Sequence, residues 1–150
     1  MSLKEVQVLP IKVGIVGLGL QGSKYASLIY DRQVKGMQLT AVSSRSTEKR
    51  DYVQERFKDV LFYHDYRDLL NESLVDAVII CVPHFQHVAV AIEALSRNKH
   101  VLAEKPLSVH TKELEPLRQI AEQKSDLCFG IIFNQRTKPA VSKTEGFIVK

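Results

Sequence analysis

The stretch Val13-Gly14-Ile15-Val16-Gly17-Leu18-Gly19-Leu20-Gln21-Gly22 leaves this chain few folds to choose from. An apolar, β-branched run enters Gly-x-Gly-x-x-Gly directly, and an amphipathic segment follows. Each glycine then has a mechanical reason. Gly17 permits a tight turn off a strand. Gly19 lacks a Cβ, so a pyrophosphate can approach the backbone. Gly22 lets a helix pack closely on the strand. That helix aims free N–H groups and the positive end of its dipole at the phosphates. Leu18 and Gln21 belong to the same loop and count with the binding residues. The motif alone also fits a glycine-rich turn without a ligand. Its strand-turn-helix setting near the start of an α/β chain favours the dinucleotide.

Hydrophobic periodicity alternates strand and helix after that. Strands are expected over residues 11–17, 37–43, 60–63, 76–82, 100–103 and 127–133, and helices over 20–33, 47–57, 85–97 and 111–123, with a short helical turn over 66–70. Ser46 and Asp65 are candidate N-caps. Pro116 should kink the last helix or delay its start. Strand-helix alternation with right-handed crossovers predicts an α/β doubly wound parallel sheet of order 3-2-1-4-5-6, helices on both faces. Phe57, Phe62, Phe129 and Phe133 read as core. Residues 1–10 read as a leader, 11–134 as the nucleotide-binding domain, and 135–150 as a linker remnant leading to a further domain, polar and patternless except for Gly146-Phe147-Ile148-Val149.

Composition excludes more than it proposes. The formal charge of +4 is mild and scattered, and Trp is absent, so no basic patch with aromatic platforms marks a nucleic-acid binder. No apolar run is long enough to span a membrane, and no signal peptide is visible, so a cytoplasmic setting is expected. Cys81 and Cys128 fall in apolar strand segments and read as small buried hydrophobes, not as a disulfide or metal pair.

In an open parallel sheet the ligand lies beyond the carboxyl ends of the strands, where the order reverses. That edge collects residues 17–22, 43–46, 82–87 and 104–106. An NAD-specific site carries an acid after strand two to hold the ribose 2′-OH. Here the place reads Val42-Ser43-Ser44-Arg45-Ser46. No carboxylate repels a 2′-phosphate, Ser44 can donate to it, and Arg45 can pair with it or stack on adenine. NADP(H) is therefore preferred over NAD(H), with Arg45 as a solvated side chain and Ser46 as a mere cap the competing interpretation.

Five stretches in order carry a more specific pattern: residues 16–22, Cys81-Val82-Pro83-His84-Phe85-Gln86-His87, Ala94-Leu95 through Lys99-His100-Val101, Glu104-Lys105-Pro106-Leu107, and Gly130 with Asn134-Gln135-Arg136. Together they resemble the N-terminal Rossmann domain of the glucose–fructose oxidoreductase and inositol dehydrogenase family (Gfo/Idh/MocA). The resemblance implies hydride transfer between nicotinamide and a carbon of a sugar, polyol or related hydroxy compound. It implies that Lys105 is catalytic, lying beside nicotinamide and substrate, with Pro106 fixing its turn. It places Glu104 at the cofactor edge or as the residue orienting the lysine. The Pro83–His87 turn would pass over the nicotinamide ribose, with Val82, Pro83, His84 and His87 among the cofactor contacts. The family usually has Asn where this chain has His84.

His84 and His87 lack a visible third ligand, so no metal is expected. His64, His100 and His110 read as structural or solvated. The family's second domain carries most substrate contacts and much of the oligomer interface; it should begin just after Arg136. The chain thus reads as a truncated form, able to bind the dinucleotide and catalytically incomplete. Two other classes stay open: a non-catalytic dinucleotide-sensing module, and an S-adenosylmethionine site. Glu104-Lys105-Pro106 and the missing acid count against the latter.

Overall fold

The computed structural model describes residues 9–133. Six strands form one parallel sheet: β1 (Ile11–Val16), β2 (Met37–Ser43), β3 (Leu61–Tyr63), β4 (Ala77–Ile80), β5 (His100–Glu104) and β6 (Phe129–Ile132), ordered β3-β2-β1-β4-β5-β6. Five α-helices connect them: α1 (Leu20–Tyr30), α2 (Thr47–Arg56), α3 (Tyr66–Asn71), α4 (His87–Ser96) and α5 (Leu114–Gln123). The doubly wound order expected from the alternation is the order found.

Strand side chains alternate between two apolar clusters, so the sheet is covered on both faces. Val13, Ile15 and Ile79 pack with Ala26 and Ile29 of α1 and Val53 of α2. Val16, Val78, Ile80, Val101 and Ala103 pack with Leu69 and Leu70 of α3, Ala91, Ala94 and Leu95 of α4, and Leu117 of α5. Phe57 joins the first cluster at 1% exposure, as expected of a core aromatic, whereas Phe133 is 48% exposed at the end of β6. Phe133 departs from the expected core role because β6 is an edge strand and ends one residue before it.

Most helices stop sooner than the periodicity suggests. In α1 the stop is chemical. Arg32 adopts φ +57°, its N–H donates to the Ile29 carbonyl at 3.0 Å, and the Gln33 N–H donates to the Leu28 carbonyl at 2.9 Å. This pair of bonds closes the helix end around a left-handed residue, a place glycine usually fills. Arg32 is exposed, so its side chain has little packing to lose. Arg32→Gly is expected to raise stability by about 0.5–1 kcal/mol, since the left-handed backbone strains a residue with a Cβ. A thermal melt should show roughly a 2 °C upward shift.

Other local expectations divide. Asp65 accepts from the Arg67 N–H at 2.9 Å and caps α3 as expected. Ser46 holds the N-cap position of α2 without a side-chain cap bond. Its own N–H donates instead to Ser44 Oγ at 3.3 Å. A 3-10 turn over Thr111–Glu113 precedes α5, so Pro116 falls in the first turn, where its missing N–H has no intrahelical partner to lose. Cys128 is exposed rather than buried, because it precedes β6; its backbone N–H donates to His100 Nδ1 at 2.9 Å. Residues 134–136 of the family pattern and the 146–149 segment lie outside the described residues. No helix among the described residues is long and apolar enough to cross a membrane.

Candidate dinucleotide site

β1 ends at Val16, and the chain turns at Gly17 with φ +96°. A Cβ there would lie 2.8 Å from the Cys81 carbonyl group. At Gly22 a Cβ would lie 1.9 Å from the Gly17 carbonyl oxygen, so α1 starts tight against its own loop. Gly19 is different: a Cβ would meet nothing within 4 Å. The protein does not need that position empty for its own packing. It is the open side of the loop, at the N-terminus of α1, where an anion can be received by backbone N–H groups.

Backbone bonds lace the neighbouring loops to this one. Gly17 N–H donates to the Ser43 carbonyl at 2.9 Å, Ser44 N–H to the Tyr63 carbonyl at 3.0 Å, and Cys81 N–H to the Val16 carbonyl at 2.8 Å. The ends of β1, β2, β3 and β4 are thus held in one row. Beyond β2, Ser44 is half-buried and Arg45 exposed, with no carboxylate between Ser43 and Ser46. Because Ser46 leaves α2 without a side-chain cap, the first N–H groups of that helix keep their donor capacity.

The β3–α3 loop and the start of α3 add residues that the sequence pattern did not place in the site. His64, Asp65, Tyr66 and Arg67 line the same cavity as Ser44 and Arg45. His64, expected to be structural or solvated, stands against Phe62 with ring centroids 5.1 Å apart and forms part of the wall. The signal was present in the topology: β3 ends on the same sheet edge as β1, β2, β4 and β5. Arg67 is held by Asp65 and Glu93, each at 3.4 Å, and lies over the Tyr66 ring.

On the other side of the switch point, Pro83 leads into a 3-10 turn over His84–Gln86, and α4 begins at His87. His84 is exposed, its ring edge-on to Phe85. His87 is only 2% exposed. Its Nδ1 lies 2.8 Å from the Pro106 carbonyl oxygen and its Nε2 lies 2.7 Å from the Val82 carbonyl oxygen. Both nitrogens therefore face backbone, and the ring joins the β4 exit to the turn after β5.

That turn is Glu104-Lys105-Pro106, with a cis Lys105–Pro106 peptide. Glu104 is 6% exposed. Its Oε2 accepts from the Lys105 N–H at 3.0 Å, and its Oε1 accepts from the Tyr25 hydroxyl of α1. Burial, the bond to Glu104 and its charge hold the Tyr25 hydroxyl well above the ordinary tyrosine range. Burial, and then the Glu104 charge, push the Cys81 thiol up to about 12. Cys81 is thus a neutral wall residue, not a nucleophile. Lys105 is exposed at the rim.

All these parts meet in one cavity of about 1280 Å³. Its lining includes Gly17, Leu18, Gly19 and Gln21, then Ser44 and Arg45, then Val82, Pro83, His84 and His87, and finally Glu104 and Lys105. Gly22 lies beneath it, packed on Gly17. The cleft runs from the β2–α2 loop across the glycine loop to the Lys105 turn.

Comparison with known proteins bears on the same region. A family model described as "Oxidoreductase family, NAD-binding Rossmann fold" matches residues 11–131. Inositol 2-dehydrogenase of Salmonella typhimurium (strain LT2) is 36% identical over 119 residues, covering 77% of this chain and 34% of that protein. The scyllo-inositol 2-dehydrogenase (NADP(+)) IolW of Bacillus subtilis (strain 168) is 31% identical over 129 residues, covering 84% and 34%. A crystal structure of scyllo-inositol dehydrogenase from Lactobacillus casei with bound NAD(H) and scyllo-inositol superposes with TM-score 0.85 at 27% identity, over 93% of this chain and 41% of that one. The chain spans about a third of the length of the curated relatives it matches. The glycine loop, the strand order and the matched span agree: this chain belongs to the Gfo/Idh/MocA oxidoreductase family and is an NAD-binding Rossmann domain of it.

Proposed function

We propose that this domain binds NADP(H) in preference to NAD(H) and presents Lys105 to a polyol, sugar or related hydroxy compound during hydride transfer. The observation that carries this reading is the single cleft joining the open position at Gly19 to Lys105. The residues fit a dinucleotide: the space a Cβ would take at Gly19 is free, and free helix N–H groups face it. The names of the relatives support the substrate class, since those compared above are inositol dehydrogenases, and one of them is NADP-dependent.

A bound nicotinamide supplies a carbon that gives or takes hydride. The protein does the rest. The Lys105 ammonium orients the reacting oxygen and stabilises negative charge that develops on it. Glu104 holds the backbone of that lysine. Gly17, Leu18, Gly19 and Gln21 carry the pyrophosphate with the start of α1. Val82, Pro83 and His84 flank the nicotinamide ribose, and His87 holds their turn from behind. Ser44 and Arg45 take the 2′-phosphate, helped by the uncapped N-terminus of α2. Lys105 stands in solvent, and hydride transfer needs water excluded. This 150-residue chain therefore binds cofactor and turns polyol over poorly by itself.

Nicotinamide fluorescence tests the reading directly. Titration with NADPH should saturate, with NADH binding roughly tenfold more weakly for want of a charge-assisted phosphate contact. Absence of saturable binding by either would overturn the cofactor assignment. Robust myo- or scyllo-inositol oxidation by the isolated chain would overturn its incapacity.

A further inference from the structure

Lys105 is held from two sides, and each side is anchored on a helix outside its own strand. After it, His87 of α4 touches the Pro106 carbonyl. Before it, the Glu104 carboxylate takes the Lys105 N–H on one oxygen and the Tyr25 hydroxyl on the other. Tyr25 is on α1, whose N-terminus faces the phosphate position, and it reaches over the end of β4 to meet β5. Tyr25 does not line the cleft, whereas Glu104 does. A carboxylate only 6% exposed needs donors on both oxygens to offset its loss of water. Its donors here are a hydroxyl and a backbone amide, so removing the hydroxyl leaves one oxygen unpaired. The Tyr25 hydroxyl is the donor of this bond, and burial holds it above the ordinary tyrosine range.

We propose that Tyr25 is a positioning residue for Lys105, acting through Glu104 to tie the nicotinamide end of the cleft to the helix that receives the pyrophosphate. The inference rests on the cofactor reading above. It says that α1 serves both ends of the dinucleotide: its first turn by direct contact, and its second through a two-residue relay. Nothing in the strand pattern of β5 predicts that partner, because Tyr25 and Glu104 are 79 positions apart.

The test compares two probes on the 150-residue chain. NADPH occupies both ends of the cleft, and adenosine 2′,5′-bisphosphate occupies the adenosine end alone. Tyr25→Phe should weaken NADPH about tenfold, the loss of one hydrogen bond to a charged group, and leave the bisphosphate within about twofold. In a spectrum selective for ¹⁵N-labelled lysine, the Lys105 amide should shift upfield as its carboxylate acceptor loosens. A purely structural tyrosine would weaken both probes together, and that result overturns the proposal. So does an unchanged affinity for both. If wild type fails to bind NADPH, the cofactor reading itself falls; if wild type binds and Tyr25→Phe shows no split, only the relay falls. Should Tyr25→Phe fail to fold, Glu104→Gln provides the same reading. Its amide retains one acceptor and loses the charge, so the split should persist at about threefold. Equal effects on both probes would again overturn the relay.

Discussion

Gly19→Ala is expected to leave the domain folded and to remove most of its dinucleotide affinity. Nothing of the protein lies within 4 Å of the added Cβ, so no core contact is disturbed. The residue sits at φ −69°, which alanine adopts without strain. The methyl group would instead stand where a pyrophosphate approaches the start of α1, pushing it off the backbone N–H groups. Losing one or two charge-assisted bonds corresponds to about 3 kcal/mol, roughly a hundredfold in affinity. Gly22→Ala is the control with the opposite signature. Its Cβ would overlap the Gly17 carbonyl oxygen, which is backbone and cannot rotate away. Destabilisation of about 3 kcal/mol, a fall of roughly 10 °C in melting temperature, is expected. Thermal melts and NADPH titrations on the two variants separate a glycine kept for ligand from one kept for packing. If Gly19→Ala bound NADPH as wild type does, the pyrophosphate would not lie at this loop.

Ser44→Asp is expected to reverse the cofactor preference. Ser44 is half-buried beside the cleft, and its Oγ accepts from the Ser46 N–H at 3.3 Å. An aspartate oxygen can accept the same bond, so the fold should be unchanged. The new carboxylate would face the 2′-phosphate at close range. At an effective dielectric near 20, two like charges about 4 Å apart repel by about 4 kcal/mol. NADPH affinity should fall by more than about a hundredfold, and NADH should hold or improve as the carboxylate takes the ribose hydroxyls. Paired titrations of NADPH and NADH check this. An unchanged NADPH affinity would place the 2′-phosphate elsewhere, with His64 of the β3–α3 loop and Arg67 of α3 next to examine.

Much of the candidate site was legible because its information is local. The three glycines, Ser44 and Arg45 after β2 and the Glu-Lys-Pro turn each sit at a strand end, and the doubly wound order puts those ends on one edge. His64 and Arg67 were missed although β3 ends on that edge too, since neither belongs to a spacing pattern. His87 was readable as a member of the Pro83–His87 turn. Its partner at the Pro106 carbonyl was not, because Pro106 is 19 positions away and belongs to another loop.

A register detail lies deeper still. Leu39 and Ala41 are two apart, yet they face opposite clusters. The pairing of β1 with β2 slips at Val13/Gly14 and skips Thr40, whose hydroxyl donates to the Leu74 carbonyl at 2.7 Å. Simple alternation along β2 would therefore assign one end of the strand to the wrong face.

By itself the sequence determined the sheet order, the phosphate loop and the edge on which chemistry can occur. Those follow from periodicity, glycine sterics and the handedness of crossovers, all of which act over short stretches of chain. The tertiary structure alone decided how Lys105 is held, and that Tyr25 and His87 brace one turn from two helices. Such facts depend on distances between residues far apart in the chain, and only the packed sheet sets those distances.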